Sequence, residues 1–542
     1  MKKNIIITIL FVLLVKSAFP CTNIIVTKGA SNNQSTMITY LCDGEFHPTY
    51  RILPAANHPK GEFINITDYS GNILGRIPQV EHTYKVMGYH NINEFQVAMG
   101  ETTFGGREEL IDTTAFLNYW QLMNITLQRA KTAREAINIL TGLVEKHGYA
   151  SSGESFSIAD PNEAWLLEMI GTGPRGKAPV WVAVKIPDGY ICAHANKSRI
   201  GEFPLNDPDN CLYSKNVISF AINKGYYNPK SKKPFLFNEA YDPSTPSNLR
   251  YCSTRVWSIY RRVSPSLHLS SYYNRAVKGA ERYPLWIKPE KKLGVADLAS
   301  LVRDHYEGTD FDMTKGLAAG PFGNPNRCRP LVCNVDSTTV AWERAISTYN
   351  TGFSIITQSR SSLPNEIGGI TWYGVDDAYF TCYTPIYVGA TDVAKGFKTG
   401  SMKEFSWESA WWRFNLVANY ANTKFSYISK DVQKAQNEIE GYFFSIQDSI
   451  ENHALTIKDK NERIDYLTSY AIKQGDFVMN KWEKLAFYIF AKYNDGYIRD
   501  ANNRPQTEGY PNEWKKRVLK DNKNFKLPVW ENTNKAEEPT NF

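Results

Sequence analysis

The chain has few of the residues that would make it a metal, redox or serine enzyme. Its eight cysteines, at positions 21, 42, 192, 211, 252, 328, 333 and 382, are spread over 542 residues. None stands in C-x-x-C spacing, so neither a zinc site nor a dithiol centre has an anchor, and they are too sparse for a disulfide scaffold. Cys328 and Cys333 could pair in an oxidising compartment, a point that spacing alone leaves open. If Cys21 is kept as a thiol, an odd number remains. The nine histidines include no H-E-x-x-H and no paired metal spacing, and His305, in Asp-His-Tyr-Glu-Gly, reads as structural. No G-x-S-x-G elbow offers a serine nucleophile. Gly171-Thr-Gly-Pro-Arg-Gly176 matches G-x-G-x-x-G only formally. Pro174 and Pro179 interrupt the helix that a dinucleotide site needs next, so a hairpin loop is the better reading.

Long apolar runs are also missing after the first twenty residues, which excludes a stable membrane span. No Lys/Arg cluster interleaved with aromatics stands out, and no internal repeat, so nucleic acid is not an expected partner. What is present is bulk: 42% hydrophobic and 13% aromatic residues can bury a large core. Residues 1 to 20 carry Lys2 and Lys3, an apolar run from Ile5 to Val15, then Ser17 and Ala18, the order of a secretory signal. Pro20 strains cleavage directly before Cys21, so cutting after Ala18 with later loss of Phe19-Pro20 is a second route. Losing Lys2, Lys3 and Lys16 leaves a mature charge of about +4 instead of +7. A periplasmic or secreted protein is expected.

From residue 21 to 391 the pattern is mainly β with inserted helices. Thr22 to Thr27, Thr36 to Leu41, Phe95 to Met99, Phe156 to Ala159, Trp165 to Met169, Val180 to Lys185 and Tyr190 to Ala193 read as strands of stacked sheets. Thr132-Ala-Arg-Glu135 is a capping-box pattern before an amphipathic helix closed by Gly148. Such grouping favours a layered α+β fold. From residue 392 to 542, Trp407, Trp411, Trp412, Phe414 and Val417, then Val432, Ala435, Ile439 and Phe443, recur at helical spacing. They predict a helical C-terminal extension whose aromatics pack into a core, ending in a loose tail over the last fifteen residues.

Cys21 sits where the signal ends and opens a strand. A thiol attacks an amide as thiolate, and at a new N-terminus the chain's own α-amine, with an ordinary pKa near 8, can take the proton. Two other readings compete. A lipoprotein anchor would also place cysteine here, although Ala18-Phe19-Pro20 does not resemble a lipobox, and an ordinary buried cysteine needs no special role.

Longer motifs narrow the choice. Cys21-Thr-Asn-Ile-Ile-Val-Thr-Lys-Gly-Ala, Ser35-Thr-Met-Ile-Thr-Tyr with Asp43, Asn93-Glu94 before Val97-Ala98-Met99, and Glu101-Thr102-Thr103 open the pattern. Ser157-Ile-Ala-Asp-Pro161, His194-Ala-Asn-Lys-Ser-Arg-Ile200, Tyr251-Cys-Ser-Thr-Arg-Val-Trp257, Gly308 through Arg327, and Arg344-Ala-Ile-Ser continue it. The set resembles the C69 dipeptidases, relatives of the secernins. The resemblance implies an αββα sandwich of the N-terminal nucleophile (Ntn) hydrolases, dipeptide hydrolysis through Cys21 and a thioester, no metal or organic cofactor, and kinship with bile-salt and penicillin V acylases. It makes Asp43 the residue that orients the Cys21 amine or thiol, although Leu41-Cys42 replaces the family's Asn-Glu and no arginine stands nearby in the acylase position. It makes Asn196 the oxyanion donor, with Thr102 or Thr103 as a second donor through backbone or hydroxyl. Arg255 becomes the group that holds Asp43 or a substrate carboxylate in a bidentate pair. Without the resemblance, Asn196 and Asp43 would read as turn residues and Arg255 as a surface ion pair. Three functions follow in order: an exported dipeptidase acting on small peptides, an acyl-amide or bile-salt hydrolase on the same scaffold, and a lipid-anchored binding protein. A homo-oligomer is compatible with each.

Overall fold

The computed structural model describes residues 21–527 apart from 177, 507 and 508. The export signal read in residues 1 to 20 and the loose tail read in the last fifteen residues lie outside the described residues. Two large antiparallel sheets carry the fold. Their strands are β1 (Cys21–Val26), β2 (Thr36–Asp43), β3 (Arg51–Leu53), β4 (Val86–Gly88), β5 (Ile92–Asn93) and β6 (Ala98–Thr103), followed by β7 (Glu154–Ala159), β8 (Ala164–Ile170), β9 (Val180–Lys185), β10 (Ile191–His194) and β11 (Cys211–Tyr213). The last four are β12 (Trp286–Ile287), β13 (Thr351–Ser359), β14 (Ile370–Val375) and β15 (Thr384–Tyr387).

The first sheet runs β12-β10-β1-β2-β13-β14-β15 and the second β11-β9-β8-β7-β6-β5-β4-β3. The second is a near-complete meander; β10 leaves it to pair with β1 in the first. Every residue of β1 and β2 is buried. Strands covered on both faces carry near-continuous runs such as Thr22-Asn-Ile-Ile-Val instead of strict alternation.

The helices lie outside the sheet pair. Seven of them are α1 (Tyr119–Leu127), α2 (Ala133–His147), α3 (Thr254–Val263), α4 (Val295–Val302), α5 (Ala410–Ala421), α6 (Phe425–Thr456) and α7 (Lys460–Lys492). β1 and β2 face β6 and β7, and α2 covers β7 and β8 from the other side. The strand pleat shows this directly. Ser157 of β7 reaches His194 of β10 in the first sheet, its Oγ 2.7 Å from Nε2, while Trp165 of β8 lies under the Arg134 guanidinium of α2. On the far side α3 packs on β10, α4 on β13, α5 on β14, and α6 and α7 on β15.

The predicted helix after Thr132 is α2, with Thr132 Oγ1 accepting from Glu135 N and Gly148 closing it at φ 78. The cap is not fully reciprocal, because Glu135 Oε2 accepts from Lys131 N. The predicted strand from Phe95 to Met99 is shifted: it begins at Ala98. Asn93 Oδ1 accepts from both Phe95 N and Val97 N, and Gln96 takes φ 64, so those residues form a turn. Gly171 to Gly176 lies in the β8–β9 connection, as the prolines require. Cys328 and Cys333 form no disulfide.

The C-terminal helices are structural partners of the first sheet. Trp372 of β14 meets Phe444 of α6 at 5.1 Å, and Phe414 of α5 stacks on Trp482 of α7 at 4.2 Å and 13°. Buried Arg360 pairs with Glu451 of α6 at 2.8 Å. No helix among the described residues is long and apolar enough to cross a membrane. Trp482 is fully buried, so Trp482→Ala is expected to destabilise the whole chain by about 3–5 kcal/mol. Urea unfolding followed by tryptophan fluorescence checks this, and the sheet and the helices should lose structure in one transition.

Candidate active site

Register brings the motif residues together. Cys21 pairs with Cys42 across β1–β2, and Asn23 pairs with His194 across β1–β10. The ladder ends at His194, and the chain runs on through Ala195 to Asn196. Asn196 adopts φ 53, which turns the chain out of the strand there.

Arg255 fastens this corner. It follows the π-helical stretch Leu249–Ser253 at the start of α3 and is fully buried. Its Nη1 donates to Cys21 O at 2.6 Å and to Thr22 Oγ1 at 2.8 Å. Its Nη2 donates to Asn196 Oδ1 at 2.9 Å and to Ala195 O at 3.3 Å. Two of the expectations for Arg255 are therefore corrected: it is not a surface ion pair, and it does not grip Asp43. One guanidinium fork ties the backbone of the candidate nucleophile to the side chain of the candidate oxyanion donor.

Asp43 has a different partner. Its carboxylate accepts from Arg344 and, at 2.6 Å, from Thr351 Oγ1, with both ionic partners buried. Burial pushes Asp43 above the usual aspartate range, while Arg344, Thr351 and Arg255 pull it down. Arg344, 301 residues away in sequence, is the arginine that could not be found near Asp43 in the chain.

The Cys21 sulfur is buried and donates to Glu101 Oε1 at 3.4 Å. Tyr40 OH donates to the same oxygen at 2.5 Å. Burial first, then the hydrogen bond with Cys42 and the negative charge of Glu101, push the Cys21 thiol well above its ordinary value. A sulfur so placed needs a base beside it to ionise.

Glu101 in turn shares a hydrogen bond with Glu154 of β7. Thr103 Oγ1 and Tyr149 OH donate to Glu154 Oε2 at 3.0 and 3.2 Å, leaving Glu101 Oε2 and Glu154 Oε1 without any other donor. Two buried carboxyls facing one another require a shared proton, and burial raises both above the usual glutamate range. Three further groups are settled by contacts. His194 is gripped on both sides, by Thr102 Oγ1 and Ser157 Oγ at 2.7 Å each, and burial lowers its pKa to about 3, so it is a neutral spacer and not a base. The hydroxyls of Thr102 and Thr103 are thus both engaged, and the Thr103 backbone N–H is turned to the Glu101 carboxyl. Asn196 Nδ2 donates to Thr103 O at 2.7 Å. The sulfurs of Cys21 and Cys42 and a Glu101 oxygen lie within 4.8 Å of one another; a soft divalent cation could be shared by them only by capping the Cys21 sulfur.

With this geometry in place, the relatives can be read. Residues 20–438 match the model of peptidase family C69, and the chain belongs to that family. It is similar to a protein named probable dipeptidase from Salmonella dublin, 27% identical over 400 residues, 70% of this chain and 83% of that protein. It is also similar to a probable dipeptidase of Latilactobacillus sakei, 26% identical over 440 residues, and to a dipeptidase of Bifidobacterium longum (strain NCC 2705), 24% identical over 459 residues. These alignments cover 77% of this chain in both cases, with 85% and 80% of the two relatives.

The paired carboxyls have a pH consequence. Because both are raised in the folded state, the native protein binds more protons than the unfolded chain above the ordinary glutamate pKa, so stability falls as pH rises through that window. Glu154→Gln removes one carboxyl of the pair, and the loss of stability between about pH 4.5 and about pH 7.5 should be smaller in this variant than in the parent. Urea midpoints at the two pH values check the difference.

Proposed function

We propose that this protein is an exported cysteine dipeptidase on an αββα Ntn-hydrolase scaffold, with Cys21 as its N-terminal nucleophile. The observation that carries the reading is the Arg255 fork, which holds the Cys21 backbone and the Asn196 amide oxygen in one rigid unit. Membership of peptidase family C69 and the dipeptidase names of three relatives support the substrate class. The second and third functions considered from the sequence gain no such support.

Once residue 20 is removed, the Cys21 α-amine lies on the same residue as the thiol and takes its proton. The sulfur attacks the scissile carbonyl, forming the C–S bond of a tetrahedral intermediate. The Asn196 side-chain amide and a backbone N–H near Thr102 or Thr103 stabilise the oxyanion. The C–N bond then breaks, the leaving amine takes the proton from the α-ammonium, and a thioester remains. Water, deprotonated by the same amine, hydrolyses it and restores the thiol. The proton shared by Glu101 and Glu154 has a separate task. A charged Glu101 would oppose thiolate formation 3.4 Å away, whereas a proton shared with Glu154 removes much of that opposing charge. Asp43 and Arg344 form a buried pair at the end of β2 that keeps this strand, and Cys42 with it, in register against β1.

Cys21→Ala should lower turnover of a dipeptide panel by at least about a thousandfold while leaving the unfolding midpoint near that of the parent. Normal cleavage by this variant would remove Cys21 from the mechanism.

A further inference from the structure

A cavity of about 530 Å³ opens beside the Cys21–Glu101 contact. Tyr40 and Cys42, the two residues that touch Glu101 and Cys21, form its inner wall. A larger space of about 670 Å³ elsewhere is lined by Arg261, Arg262, Arg303, Asp304 and Glu307 and includes none of these groups. Of the two, the first is lined by residues that touch Cys21 and Glu101, and the second is not.

The wall opposite Tyr40 is aromatic. Tyr69, at the tip of the hairpin formed by Phe63–Thr67 and Ile73–Pro78, stacks on Trp120 of α1 at 4.9 Å and 25°. Tyr89 continues the wall, its ring 4.8 Å from that of Phe353. Trp120 Nε1 is buried yet has no hydrogen-bond partner among the described residues. The indole N–H groups of Trp165, Trp411 and Trp482 stand likewise; what sets Trp120 apart from them is its place on the cavity wall, where a ligand can reach the N–H. Tyr69, by contrast, is 71% exposed, which leaves one half of the stacked pair uncovered.

We propose that this cavity is the side-chain subsite of the enzyme and that it selects dipeptides carrying an aromatic residue. The inference rests on the dipeptidase reading and specifies its substrate. The space falls in the range of pockets that enclose small ligands, and offset or edge-on contacts with Tyr69, Trp120 and Tyr89 reward a ring over an aliphatic chain. A methyl side chain would leave most of the cavity unfilled. Trp120 Nε1 is placed to donate to a peptide carbonyl or a carboxylate of the bound dipeptide, which supplies the missing partner. Arg51, Glu45 and Asp68 also line the cavity, so charges of both signs are at hand for the two termini of a dipeptide.

Steady-state kinetics on Ala-Ala, Phe-Ala, Ala-Phe, Trp-Ala and Ala-Trp test the proposal in the mature full chain. At least one aromatic member should exceed Ala-Ala in kcat/KM by tenfold or more. In Trp120→Ala and, separately, in Tyr69→Ala, that ratio should fall at least fivefold, mainly through KM, and Trp120→Phe should recover part of it. An aromatic-to-alanine ratio near one, or a ratio untouched by both alanine variants, would overturn the subsite while leaving dipeptide hydrolysis in place. Calorimetric titration of the Cys21→Ala chain with Phe-Ala and Ala-Phe separates the two readings. Binding that weakens in the Cys21→Ala/Trp120→Ala chain supports the subsite even if no dipeptide is cleaved, and absence of binding to either peptide counts against it.

Discussion

A guanidinium group with no access to water needs every one of its donors answered, and in this fold Arg255 answers them with the atoms that define the catalytic corner. Its Nε goes to Tyr251 O, its Nη1 to Cys21 O and Thr22 Oγ1, and its Nη2 to Ala195 O and Asn196 Oδ1. Leaving any of these unmade would cost about 1–3 kcal/mol or more for a charged donor. The position of β1 relative to the end of β10 is therefore set by a polar requirement as much as by apolar packing. The layered sheets supply the dry environment that makes the requirement strict.

The same dryness shapes the chemistry of the sulfur. Burial raises the pKa of a thiol and of a carboxyl alike, since both lose their charged form when water leaves. Cys21, Glu101 and Glu154 are packed into one such region, so a proton cannot be missing from all three. The site resolves this by keeping a proton between the carboxyls and by reserving the new negative charge for the sulfur. Asp43 escapes the conflict because Arg344 stands beside it. The proposed mechanism still requires a base near neutrality, and an α-amine on Cys21 would supply one without adding another buried charge.

Much of this was legible in the chain, and the omissions have physical causes. Runs such as Val180 to Lys185 and the cap at Thr132 are local signals, and they located β9 and the start of α2 well. The strand expected at Phe95 failed because Asn93 binds two backbone amides and forces Gln96 into the left-handed region, a competition that apolar patterning cannot register. Cys21, Asn196 and Arg255 were singled out by motif, and β1–β10 register with the Arg255 fork explains why they belong together. What Arg255 holds was misjudged, since an ion pair with Asp43 is the natural guess when Arg344 lies some 300 residues distant. Glu101 and Arg344 were both inside motifs, Glu101-Thr102-Thr103 and Arg344-Ala-Ile-Ser, yet nothing in their flanks marks burial, which is the property that gives them a role. Glu154 had no motif at all; only the pairing of β6 with β7 reveals it. The C-terminal helices were visible as amphipathic periodicity, but their place as the cover of β14 and β15 depended on long-range packing.

The central claim is that one residue supplies both the sulfur and the base. It is tested most directly by determining the first residue of catalytically active protein recovered from the producing cell, by Edman sequencing together with intact mass. The account predicts cysteine at position 21 with an unmodified amine, and loss of activity when that amine alone is acetylated. Active protein that begins upstream of Cys21, or that keeps its turnover with the amine blocked, would contradict it.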